Sequence, residues 1–155
     1  MNNDVKKPVC FTGHRIIKES LDKEALKNVI EKLINDGYCV FLCGMAVGFD
    51  MLCFSLVLEL KEKYGYIKII ACVPYSGQAD NYGRKKKAEY EKYISVSDEV
   101  VTLYEKYNEA CMKERNRYMV DNSSVCVSYL FRTGSGTYYT TRYAVEKGKT
   151  VIYIK

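Results

Sequence analysis

The sequence predicts a doubly wound α/β fold: a mostly parallel sheet of about six strands with helices on both faces. Three observations predict it. Apolar runs alternate with segments of helical period along the chain, with no long linker and no internal repeat. The runs are apolar on both faces, as parallel strands covered by helices on each side must be. Two of the runs lead through Gly-rich turns into helical segments, the join that right-handed strand–helix–strand crossovers use. The 155 residues are expected to form a single domain.

Strands are expected at Val9–Thr12, Tyr38–Cys43, Ile67–Val73, Glu99–Tyr104, Val125–Phe131 and Thr150–Ile154. The first helix has the clearest signal, with Leu21, Ala25, Leu26, Val29, Ile30, Leu33 and Ile34 forming one stripe at helical spacing. Ser20 is its expected N-cap and Gly37 its left-handed stop. The remaining helices are read at Phe49–Tyr64, Tyr82–Ile94, Glu109–Val120 and Tyr138–Lys147, with Gly65 and Gly148 as further stops.

Ligands of such sheets sit at the carboxyl ends of the strands, which directs attention to the loops after the first, second, third and fifth. The fifth runs into Arg132–Thr133–Gly134–Ser135–Gly136–Thr137. Glycines there let the backbone approach a phosphate, and unpaired amides at the helix start point at the anion. The second runs into Gly44–Met45–Ala46–Val47–Gly48–Phe49–Asp50, whose spacing fits neither the dinucleotide fingerprint nor a Walker loop. Asp50 repels phosphate, so it holds a ribose hydroxyl or caps backbone amides. Thr12, Gly13, His14 and Arg15 end the first strand, offering a tight exit and side-chain donors at the mouth.

Arg115, Asn116 and Arg117 share a helix that ends at Asp121. Residues two apart cannot share a helix face, so only one of the two arginines reaches the mouth. An arginine fork matches two phosphate oxygens. Among 15 tyrosines, Tyr75, Tyr82 and Tyr107 fall near the mouth, where an aromatic face can stack a base.

Composition narrows the function classes. The longest apolar runs are strand-sized, well short of the ~20 residues of a membrane span, and Met1–Lys7 is polar. No membrane association is expected, and the location is expected to be cytoplasmic. Seven cysteines form no C-x-x-C pair, and most fall inside strands, as reduced cysteines acting as small core residues do. With a single His, no metal centre is expected, and no cofactor is expected either. The net charge of +5 fits an anionic ligand and is small for a groove that tracks nucleic acid. Arg84–Lys87 is the one dense basic cluster and reads as a solvated helix face.

Taken together, Phe11-Thr-Gly-His-Arg15, Gly44-x-x-x-Gly-x-Asp50, Pro74-x-x-x-Gln78, Tyr107, Arg115-Asn-Arg-x-Met-Val-Asp121 and Gly134-Ser-Gly-Thr137, followed by Tyr143-Ala144 and Gly148, resemble the YpsA-like branch of the SLOG superfamily. That superfamily joins the DNA-processing protein DprA to the Lonely Guy (LOG) enzymes. The resemblance covers nearly the whole chain. It implies a Rossmann-like fold, a nucleotide pocket between the two Gly-rich turns, and self-association, for which Leu56 and Leu60 on an outer helix face are candidates. In LOG enzymes a glutamate pair follows the last motif, and the matching positions here are Tyr139 and Thr140.

The leading expectation is therefore binding of a nucleotide or nucleotide-derived small molecule, as a sensor or regulatory module. Thr12, Gly13, His14, Arg15, Gly44, Met45, Gly48, Asp50, Arg115, Asn116, Asp121, Gly134, Ser135, Gly136 and Thr137 form its candidate site. The alternatives are a phosphoribohydrolase-like enzyme with an altered acid, and DprA-like binding of single-stranded DNA.

Overall fold

The computed structural model describes residues 7–155. Six strands alternate with five helices: β1 (Val9–Gly13), α1 (Lys23–Asn35), β2 (Val40–Cys43), α2 (Phe49–Lys63), β3 (Lys68–Tyr75), α3 (Arg84–Val96), β4 (Glu99–Tyr104), α4 (Cys111–Asp121), β5 (Val125–Tyr129), α5 (Gly136–Glu146) and β6 (Thr150–Tyr153). All pairings are parallel, in the order β4-β3-β2-β1-β5-β6. The winding reverses between β1 and β5, where Val9 pairs with Val125 and Gly13 with Tyr129. A crevice opens at such a reversal, outside the carboxyl ends of the two strands.

Side chains alternate along each strand, so the sheet supports a core on each face. One face carries Phe11, Phe41, Ile69 and Val127 under Ile30 of α1, Phe54 of α2 and Tyr93 of α3. The other carries Cys10, Leu42, Cys72 and Cys126 under Met119 of α4 and Ala144 of α5. All seven cysteines are free thiols. Burial pushes the Cys72 thiol up to about 12, so it packs as an apolar group.

Several local expectations shift. The first helix is capped by Asp22, whose carboxylate accepts from the Ala25 N–H at 3.0 Å, and not by Ser20. Gly37 and Gly148 take positive φ after α1 and α5, whereas Gly65 does not. The fifth strand stops at Tyr129, and α5 starts two residues earlier than its apolar pattern, at Gly136. Leu56 and Leu60, expected on an outer face, are buried. α2 is the middle helix of three on its side of the sheet, so neighbouring helices and the sheet leave those positions no outer face.

Candidate functional site

A pocket of about 710 Å³ opens where the winding reverses, lined by residues that follow β1 and β5, by Ala46 and Asp50 after β2, and by α4. It collects Thr12, Gly13, His14, Arg15, Asp50, Arg115, Asn116, Ser135, Gly136 and Thr137 from the expected set. Gly44, Met45, Gly48, Gly134 and Asp121 do not line it. Asp121 ends α4 and accepts from the Tyr143 hydroxyl at 2.7 Å, at the amino edge of the sheet.

Gly44, Met45 and Gly48 of the second turn lie behind the residues that line the pocket. A Cβ on Gly44 would lie 2.9 Å from the Arg115 Cζ and 3.0 Å from an Asp50 carboxylate oxygen. Gly48 has φ +89, and a Cβ there would overlap the Arg15 carbonyl. Met45 is itself left-handed, at φ 64, and its carbonyl accepts from the Tyr82 hydroxyl at 3.0 Å. The turn is glycine-rich because other parts of the protein pack against it.

Arg115 answers which arginine faces inward. It is only 4% exposed, and its Nη1 donates to the Gly44 carbonyl and, at 3.2 Å, to the Cys72 carbonyl. Its Nε donates to Asn116 Oδ1 at 2.8 Å. Nη2 has no acceptor among the described residues, so its two N–H donors remain unspent beside the pocket. Arg117 turns the other way, 5.0 Å from the Tyr143 ring centre. Gln78, carried by the loop after β3, donates to the same Gly44 carbonyl at 2.9 Å and accepts from the Tyr90 hydroxyl. That loop supports the site from behind without lining it, and Tyr75, Tyr82 and Tyr107 stay outside the pocket.

Among the described residues, Asp50 is the sole acid lining the pocket, against the cations Arg15, Lys18, Arg115 and Arg132. Its carboxylate accepts from the Ala46 N–H at 3.2 Å, a loop cap of the kind expected. Burial raises its pKa to about 6, opposed by the charge of Arg115, the Ala46 hydrogen bond and Arg15. Burial, together with the charges of Arg132 and Lys18, holds His14 below its ordinary value. A neutral ring fits its bonding, because Nε2 accepts from the Phe131 N–H at 3.2 Å.

At the start of α5, Ser135 Oγ accepts from the Tyr138 N–H at 3.1 Å. The N–H groups of Gly136 and Thr137 meet no acceptor among the described residues. A Cβ at Gly136 would touch nothing within 4 Å, and its φ is ordinary. The fold does not require glycine there, in contrast to Gly44 and Gly48.

Phe11, Ile16, Lys18, Ala46, Met112, Met119, Phe131 and Arg132 also line the pocket, beyond the expected set. Arg132 had a signal, since it opens the last Gly-rich turn. The apolar run continues through Phe131, although the fifth strand ends at Tyr129. Met119 lies inside the Arg115–Asp121 motif, whereas Lys18 and Met112 carry no motif and are brought in by tertiary packing.

The YspA SLOG family model matches residues 12–153, so the chain belongs to that family. It is 30% identical over 135 residues to the SPbeta prophage-derived protein YoqJ of Bacillus subtilis, covering 79% of each. It is 23% identical over 103 residues to YpsA of the same organism, covering 65% of this chain and 57% of YpsA. Among solved structures, DNA processing protein A from Streptococcus pneumoniae superposes with a TM-score of 0.71 at 21% identity, covering 96% of this chain and 50% of that one. DNA processing protein A from Helicobacter pylori, described by its single-stranded DNA binding mode, superposes with a TM-score of 0.72 at 20% identity, covering 97% and 66%. These structural likenesses are likenesses of fold, and the chain spans half to two thirds of those proteins. No helix among the described residues is long and apolar enough to cross a membrane.

Proposed function

We propose that this SLOG-family chain binds a nucleotide or nucleotide-derived small molecule in the pocket between β1 and β5, as a sensor or regulatory module. The phosphate sits at the start of α5, on the free N–H groups of Gly136 and Thr137, where the helix dipole also favours an anion. Arg15, Lys18 and Arg132 ring the mouth. Met112, Met119 and Phe131 offer apolar surface to a base, and Asp50 faces the pocket as a hydroxyl acceptor.

One observation carries this reading: a buried arginine with an unspent Nη2 beside a pocket holding four cations and one acid. A buried charge is costly unless matched, and one carboxylate leaves the balance positive. An anionic ligand restores it. The test is thermal denaturation with mono-, di- and cyclic nucleotides at millimolar concentration, since a ligand that binds only the folded state raises the transition temperature. No shift with any of them overturns the reading.

Single-stranded DNA is the second reading. Exposed Ile16 and Phe131 stand beside Lys18 and Arg132 at the rim, and Lys18 Nζ lies 4.1 Å from the Phe131 ring centre. Cations interleaved with aromatic surface suit a stacked strand. Its mark is affinity that falls steeply with salt.

A further inference from the structure

We propose that the groove between α4 and α5 is a second ligand subsite, so that the ligand is a dinucleotide with two rings joined through phosphate. This rests on the nucleotide reading of the first pocket and extends it. The groove, about 600 Å³, is a separate cavity, yet it shares Met112, Asn116 and Gly136 with the first pocket. Each cavity falls in the size range of a small-molecule site.

The shared wall is where the geometry becomes informative. Gly136 is the first residue of α5, and its side without a Cβ is open space. A phosphate bridge on the free N–H groups of Gly136 and Thr137 would therefore have one cavity on each side. In the groove, Tyr139 is 61% exposed and meets Tyr138 only edge-on, with ring centres 5.4 Å apart. Its hydroxyl has no partner among the described residues. A large aromatic face left in water at the lip of a cavity is suited to stacking a second base. Lys113, Arg117 and Arg142 line the groove against Glu109 and Glu146, with Arg142 paired to Glu146 at 3.8 Å, so a small positive excess remains for a ligand carrying negative charge between its rings. A mononucleotide would leave this groove empty.

Isothermal titration tests the proposal, using adenine, guanine, cytosine and uracil nucleoside diphosphates, the matching dinucleoside diphosphates, and a short oligodeoxythymidine strand. The best dinucleotide binds roughly ten-fold tighter than its nucleoside diphosphate, the effect of one added stacking contact. Tyr139→Ala abolishes that difference and leaves nucleoside diphosphate affinity unchanged, while Tyr139→Phe preserves it. Tyr139 is exposed, so neither variant disturbs the fold. Nucleoside diphosphates that bind while dinucleotides bind no tighter overturn the second subsite alone. No binding by either class overturns both readings. An oligonucleotide bound far more tightly than any dinucleotide overturns the proposal in favour of a continuous strand.

Discussion

The Arg115 guanidinium donates to the carbonyl of Gly44, and a single methyl group at Gly44 would lie 2.9 Å from its Cζ. Gly44 thus serves as the seat of the arginine that faces the pocket. Glycine is required there for space, since its φ is not in the left-handed region.

Gly44→Ala should therefore lower both stability and ligand affinity. Forcing a methyl group into this joint costs about 1–3 kcal/mol, the range for overpacking. Urea denaturation reads the first effect and nucleotide titration the second. Unchanged stability with unchanged binding contradicts the seating role.

Gly136→Ala separates fold from function in the opposite way. The site has room for a methyl group and an ordinary φ, and alanine is the better helix former by up to ~1 kcal/mol in a helix interior, less at a first position. The variant should be as stable as the parent or slightly more so, while nucleotide affinity falls as the methyl enters the ligand's approach. A variant that is stable and still binds fully would remove the phosphate from the start of α5.

How much of this was legible in the sequence differs from residue to residue. Strand–helix alternation showed the architecture, and the carboxyl-edge rule pointed to the loops after β1, β2, β3 and β5, of which the one after β3 does not line the pocket. Gly134–Thr137 was recognisable as a turn into a helix. The turn at Gly44–Gly48 looked equivalent, but its glycines accommodate Arg115, Asp50 and the Arg15 carbonyl. Sequence shows a missing side chain without showing what fills the space. Phe131 was invisible for a related reason: apolarity continues past Tyr129 after the chain has left the sheet, and its N–H turns to His14. Lys18, between β1 and α1, meets Met112 and Met119 of α4 only in the folded chain.

Asp50 gives the site a pH signature. Its folded pKa is raised, from 3.8 to about 6, so the native state holds the proton more tightly than the unfolded chain. Its contribution is fully present below the unfolded value and is lost as pH rises through about 6. The loss approaches roughly 3 kcal/mol at 1.36 kcal/mol per pKa unit. Asp50→Asn mimics the protonated form, so its stability relative to the parent should be near zero at pH 4 and should grow positive by pH 7.5. Denaturation curves at the two pH values decide this. A variant less stable than the parent at pH 7.5 would show instead that the charge is needed to balance Arg115.

The rim cations should act through charge rather than shape. Arg15→Gln with Arg132→Gln removes two exposed charges and should leave the melting temperature nearly unchanged, while weakening nucleotide binding roughly ten-fold at low salt, as expected for losing two partly screened contacts. For a small ligand, the affinity should depend only shallowly on salt. A steep dependence with an oligonucleotide, flattened by the double variant, favours the DNA reading.

The most direct measurement compares nucleoside 5′-monophosphates with the matching nucleosides by isothermal titration on the unmodified protein. If the pocket between β1 and β5 is an anion cradle, the phosphate supplies most of the affinity. The monophosphate should then bind at least about ten-fold tighter than the nucleoside, the least expected of charge-assisted hydrogen bonds. Equal affinities, or binding by neither, would contradict the account.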